Sequence, residues 1–134
     1  GGTVLGTEVT AGGSTGLRYL YARQSAVEDP AKAAALREFV SHWVKGWQWA
    51  NQHPQAWVND YYVKNQGLTP AEGKLINEVS GPTHFPRIDQ ALFATQHQTA
   101  DLLLKSGSIR QKVDAAKEFV VRFDQVIQQA ADEK

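Results

Sequence analysis

The chain has no cysteine and no methionine, no excess of charge of either sign, and no long apolar run. Without cysteine there is no disulfide frame, no thiolate metal site and no thiol nucleophile. Lys plus Arg number 14 and Asp plus Glu number 14. A chain with this balance has no general electrostatic pull toward nucleic acid or an anionic membrane. No apolar stretch approaches the roughly 20 residues that a bilayer-crossing helix needs, and no signal-peptide pattern is visible. The missing methionine and the opening Gly1-Gly2 lead to the expectation of a fragment or processed product.

What is present suits one compact domain. The chain has 134 residues, 42% of them hydrophobic and 21% charged, an ordinary globular mix. Residues 1–16 are rich in Gly, Thr and Ser, with Val4, Leu5 and Val9 as short apolar points, which suits short strands and a loop. Gly12-Gly13-Ser14-Thr15-Gly16 reads as a turn or crossover, because glycine reaches positive φ at low cost. Leu17-Arg18-Tyr19-Leu20-Tyr21-Ala22-Arg23 is aromatic and aliphatic over a strand's length and is expected to be a strand, buried on both faces.

Helix signals dominate thereafter. Asp29-Pro30 is an N-cap followed by proline in the first turn. Leu36, Phe39, Val40, Trp43, Val44, Trp47 and Ala50 then recur at steps of three and four, the strongest amphipathic pattern in the chain. A shorter helix follows Pro54, carrying Trp57, Val58, Tyr61 and Tyr62, with Gly67 as its C-cap. Thr69-Pro70-Ala71-Glu72 is a capping box that opens a helix to about Ser80, with Leu75, Ile76 and Val79 apolar; Gly81-Pro82 stops it. Residues 82–88 are irregular. Asp89 opens a long helix through Phe93, Ala100 and Leu103 or Leu104, closed by Gly107. Val113, Ala116, Val120, Phe123 and Ile127 fit a last helix over 113–131, although Phe119-Val120-Val121 is also strand-like. Five helices with apolar stripes need something to cover, and two or three short strands make a poor sheet for all of them. The expectation is that part of this apolar surface belongs against chain not contained in the sequence.

The order of these features resembles a known group. Gly12 to Gly16 leads into the aromatic segment 17–23. A Trp-bearing helix then ends in Trp49-Ala50-Asn51-Gln52-His53-Pro54. Gly67-Leu68-Thr69-Pro70, Arg87-Ile88-Asp89-Gln90-Ala91, Gln96-His97-Gln98-Thr99-Ala100-Asp101-Leu102-Leu103, Gly107-Ser108-Ile109 and Lys112-Val113-Asp114 follow in order. From Leu17 to Asp114 this resembles the C-terminal part of the aliphatic-sulfonate, taurine and nitrate group of substrate-binding proteins of ABC importers. The last twenty residues, with their helical period, depart from the short irregular tail of that group.

The resemblance implies an α/β fold, mainly helical in this segment: the C-terminal part of a two-lobed, type II periplasmic-binding-protein clamp. Residues 1–16 would be the end of the second lobe and the return crossover. Residues 17–134 would be the C-terminal part of the first lobe, a strand plus about five helices, with most of its sheet supplied by an N-terminal part. It further implies a periplasmic or extracellular protein, lipid-anchored through that N-terminus in some cases, with an ABC permease as membrane partner. Its cargo would be a small anionic organic solute of the sulfonate type. No cofactor, no metal and no catalysis are expected. Two other readings stand beside it: a desulfinase or thiamin-precursor enzyme on the same fold, and a free-standing helical interaction domain.

Candidate ligand contacts follow from residue chemistry. Gly13, Ser14 and Thr15 offer close backbone N–H groups and hydroxyl donors to an anion; a plain turn is the alternative, and the hinge position implied by the resemblance favours contact. Arg87 and His84 sit in the Pro-flanked irregular segment, where an arginine fork suits a sulfonate; a surface Arg and a turn His are the plainer reading. Trp43, Trp47, Trp49 and Trp57 with Tyr61 and Tyr62 have the look of a stacking platform, but Trp43 and Trp47 share the apolar stripe, which favours packing. His42, His53, His84 and His97 lack metal-ligand spacing. Gly67 to Lys74 has the wrong spacing for a P-loop and Leu75 where magnesium needs Ser or Thr.

Overall fold

A computed structural model describes residues 17–133. The described chain is mainly helical: α1 (Gln24–Glu28), α2 (Pro30–Gln52), α3 (Pro54–Trp57) running on as a π-helical segment (Val58–Asn65), α4 (Pro70–Ser80), α5 (Gln90–Lys105), two 3-10 turns (Ala115–Glu118 and Val121–Phe123) and α6 (Asp124–Asp132). No strand forms among the described residues.

The helix starts are made by the residues that announce them. The Asp29 carboxylate accepts from the backbone N–H groups of Ala31 and Lys32, both at 3.0 Å. Asp89 does the same for Ala91 and Leu92 at 3.0 and 3.1 Å. At α4 the box is reciprocal. The Thr69 hydroxyl accepts from the Glu72 N–H at 3.3 Å, and the Glu72 carboxylate accepts from the Thr69 N–H at 2.9 Å. Gly67, Gly81 and Gly107 carry positive φ (72°, 66° and 76°) at the ends of the π-helical segment, α4 and α5, where a side chain would be strained.

The described residues divide into two units: residues 27–85 with 125–133, and residues 17–26 with 86–124. In the first, α2 buries Ala33, Val40, Val44 and Ala50. Phe39, expected on the same stripe, is 56% exposed. The π-helical segment packs against α4 at Gly73, where a Cβ would lie 2.8 Å from the Tyr62 Cβ and 3.2 Å from Val58 Cγ1. Only glycine permits that approach. Asn51 clamps the loop after α4: its Nδ2 donates to the Thr83 carbonyl at 2.8 Å, and its Oδ1 accepts from the Thr83 N–H at 2.9 Å. The Gln48 amide donates to the Ala131 carbonyl at 2.8 Å, and Lys45 pairs with Glu133 at 2.6 Å.

In the second unit α5 packs on the 3-10 turn at Ala115. Phe93 is buried, and its ring lies 5.5 Å from that of Phe119. Two expectations fail here. The segment 17–23 is not a strand and is not buried on both faces; it has no regular structure, Leu20 is exposed and Tyr21 is 88% exposed. A strand needs a ladder partner, and none exists among the described residues. The last helix does not start at 113. Phe119 takes extended backbone (φ −96°, ψ 135°), the chain tightens into two 3-10 turns, and the α-helix begins only at Asp124. Phe119-Val120-Val121 is poor helix material, because the branched and aromatic side chains lose rotamer freedom against the preceding turn.

Two outcomes follow. Gly73→Ala forces a methyl group onto Tyr62 and Val58 and should cost about 1–3 kcal/mol in chemical denaturation, whereas Gly46→Ala, with nothing within 4 Å of its added carbon, should be stabilising by some tenths. The hydrogen bonds from the Thr69 hydroxyl and N–H hold the Glu72 carboxyl below its ordinary value. A depressed carboxyl contributes stability that is present above its unfolded pKa and lost as pH falls through the folded one. Glu72→Gln keeps an acceptor for the box but cannot titrate. Its thermal midpoint should therefore fall less than the parent's between pH 5 and pH 3, and equal falls would disprove the assignment.

Candidate functional site

Arg87 and its neighbours are held from the start of α6. The Asp124 carboxylate reaches back with Oδ1 to accept the Ile88 N–H at 2.8 Å, and Oδ2 lies 3.5 Å from the Arg87 Nη1. The Asp124 side chain is 19% exposed and that of Arg87 66% exposed. Asp124 is thus the fixed member: it turns the residues 86–89 corner that leads into the Asp89 cap. Its long contact to Arg87 is a weak, solvent-screened pair, which leaves most of the guanidinium fork facing water. His84 belongs to the other unit, is exposed, and lies on the loop that Asn51 clamps. Gly13, Ser14 and Thr15 lie outside the described residues.

The aromatic residues assemble more fully than their spacing indicated. Phe85 meets Trp43 edge-on at 5.7 Å, Trp43 meets Trp47 at 6.4 Å, and Trp47 meets Trp57 at 5.4 Å. Tyr61 stacks on Trp57 at 4.4 Å with the rings 10° from parallel, and Tyr62 closes edge-on against both. Trp57 and Tyr61 stand four residues apart and so share one side of the continuous helix, Trp57 at the end of α3 and Tyr61 in the π-helical segment. Trp43, Trp47, Trp57, Tyr62 and Phe85 are all half-buried and Tyr61 is exposed. The rings bind α2, the π-helical segment and the loop at Phe85 into one run. Packing is their first role, as the shared stripe indicated; the spacing of Trp57 and Tyr61 did not reveal the π-helical register. Trp49, off the stripe, stacks on the His53 ring at 5.1 Å and is exposed.

Histidine and carboxylate chemistry is sparse. His97 Nε2 lies 3.9 Å from Asp114, which Lys117 also approaches at 3.6 Å, and all three side chains are largely exposed. Among the described residues no group of His, Asp or Glu has the geometry to hold a metal ion, and no buried side-chain polar atom is left without a partner. The Tyr19 phenol donates to the Gln96 side-chain oxygen at 2.6 Å. Burial, with Tyr21 and Glu118 nearby, holds that phenol above the ordinary tyrosine value, so it remains a donor through neutral pH.

The larger unit also carries an exposed apolar surface. On α4, Leu75 is 60% and Val79 80% exposed, and Ile76 is exposed beside them. Gly73 and Asn77 occupy the opposite side of the helix, turned toward the π-helical segment. No helix among the described residues is long and apolar enough to cross a membrane. No protein-family model, curated protein or solved structure matches the chain.

The two partners of the Asp124 contact should separate in mutagenesis. Asp124→Ala orphans the Ile88 N–H and should cost about 1–3 kcal/mol. Arg87→Ala should change stability by no more than about 0.5 kcal/mol. Equal losses in urea denaturation would mean that the ion pair, and not the backbone cap, holds the corner.

Proposed function

We propose that this chain is the C-terminal part of the substrate-binding component of an ABC importer, of the kind that captures sulfonate-type solutes between two lobes. The motif order from Leu17 to Asp114 supports the reading on the sequence side. The observation that carries it on the structural side is the outward apolar stripe of α4. A helix with correct caps and a fixed packing register presents Leu75, Ile76 and Val79 to solvent, the condition of a helix made to lie on something else. In the importer reading that cover is the sheet of the first lobe, encoded ahead of this segment in the same protein. The free-standing helical domain is less favoured by the same observation, since its stripes would close on themselves.

Function on this reading is equilibrium binding with lobe closure and delivery to a membrane permease; no bond is broken. A small anion would be met by Gly13, Ser14 and Thr15 at the return crossover. Arg87 and His84, which belong to different units, are separate candidates for a sulfonate contact; the Arg87 fork, in only a long contact with Asp124, suits it by chemistry, because a planar guanidinium matches two sulfonate oxygens.

The test is titration calorimetry with taurine, a linear alkanesulfonate and nitrate, on the segment alone and on the segment joined to the polypeptide encoded ahead of it. The joined protein should bind one of the anions at micromolar concentration or tighter, and the segment alone should bind weakly or not at all. Tight binding by the isolated segment, or none of these anions bound by the joined protein, would overturn the assignment. Arg87→Ala in the joined protein should lower affinity roughly tenfold if the fork meets the anion; unchanged affinity removes Arg87 from the site.

A further inference from the structure

The segment 17–23 has the composition of a strand and is held as something else. Its residues Leu17-Arg18-Tyr19-Leu20-Tyr21-Ala22-Arg23 favour extended, paired backbone, yet no ladder forms on it and nearly all of it is exposed. Tyr19 ties it to the rest of its unit through both its phenol and its ring. The phenol donates to Gln96 Oε1 on α5 at 2.6 Å. The ring sits 6.2 Å from Phe119, tilted by 52°, and Phe119 in turn rests 5.5 Å from the buried Phe93. Tyr21, 6.1 Å from Tyr19 on the same segment, contributes little cover at 88% exposure.

We infer that residues 17–23 are a detachable strap, latched onto α5 and the Phe119 ring by the Tyr19 phenol, and that opening the latch frees a strand-forming segment and uncovers Phe119. The inference stands on the Tyr19–Gln96 bond and the ring contacts, and does not depend on the importer reading. The geometry separates two components of the latch. Tyr19→Phe removes the hydroxyl and keeps the ring. Gln96→Leu removes the acceptor without altering the strap's own sequence. Gln96→Glu keeps an oxygen acceptor for the phenol. A neutral hydrogen bond of this kind is worth about five- to tenfold in the open-to-latched ratio.

The measurement is limited trypsin cleavage of the full chain at the bond after Arg23, under conditions in which cleavage reports the open population. Tyr19→Phe and Gln96→Leu should each raise the rate about five- to tenfold, and the double variant should be no faster than either single, because both remove one bond. Gln96→Glu should restore a rate close to the parent's. The circular dichroism spectrum and thermal midpoint of each variant separate strap release from general unfolding, which would raise cleavage at Lys64 in the same digest as well. Unchanged cleavage after Arg23 in both single variants, or effects that multiply in the double, would overturn the latch. Should Gln96→Leu fail to fold, Tyr19→Phe against the parent and Gln96→Glu decides it alone.

Discussion

The close approach of α4 to the π-helical segment governs the larger unit. At Gly73 the Tyr62 and Val58 side chains come near enough that a Cβ does not fit, and this contact sets the rotation of α4 about its own axis. With Gly73 and Asn77 turned inward, Leu75 and Val79 must face away, because helix geometry puts them on the other side. The exposed stripe is therefore a consequence of packing and not of a frayed or poorly formed helix. The capping box pins the N-terminus of α4 and Gly81 ends it, so the helix has well-made ends, one tight face and one open face.

The aromatic run is the second organising element, and it depends on the first. Tyr62 is the residue that Gly73 touches, and it packs edge-on against Trp57 and Tyr61. The run continues through Trp47 and Trp43 to Phe85. Asn51, by holding both backbone groups of Thr83, delivers Phe85 to its place. Polar and apolar contacts cooperate here: a side chain that copies a strand's pair of hydrogen bonds fixes a loop whose aromatic residue then completes the ring contacts. Each ring pair adds about 0.5–1.5 kcal/mol beyond the area it covers, which matters in a unit with so little enclosed interior.

Local chemistry made much of the fold legible in the sequence. Asp29, Thr69 with Glu72, and Asp89 mark helix starts, and Gly67, Gly81 and Gly107 mark ends, because caps act over three or four residues and need no tertiary partner. The misreadings concern long-range competition. Leu17 to Arg23 has strand composition, but β-propensity expresses fit to a pleated neighbour, and no neighbour exists among the described residues. The period of Val113, Ala116 and Val120 places Phe119 in a helix; its aromatic and branched run instead takes extended backbone, and its ring lies against Phe93 and Tyr19. Phe39 fitted the α2 stripe by spacing yet faces water, since the period gives the angular position of a residue but not the width of what covers it. At the candidate site, the sequence marked Arg87 for its fork. It did not reveal Asp124, 37 residues away, as the acid that holds the Arg87-Ile88 backbone.

The balance of buried and open apolar surface decides what kind of object this is. Among the described residues the buried apolar set is Ala33, Val40, Val44, Ala50, Val58, Phe93, Ala115, Phe123 and Ala130, and of the larger side chains only Val44 is wholly enclosed. Four of the nine are alanines, which bring little hydrophobic free energy each. Covering Leu75 or Val79 is worth about 1.5–3 kcal/mol apiece at full burial, against a net stability of roughly 5–15 kcal/mol for a typical domain. The open stripe is thus a sizeable fraction of the margin that keeps a typical domain folded. On the importer reading, a sheet face carrying branched apolar side chains would lie flat along α4 and cover it. The strap has strand chemistry as well: latched by the Tyr19 phenol and ring, it has an alternative in pairing with a sheet edge. In one unit a helix lacks its cover, and in the other a strand-forming segment lacks its ladder; each deficit is of the kind that sheet contact relieves.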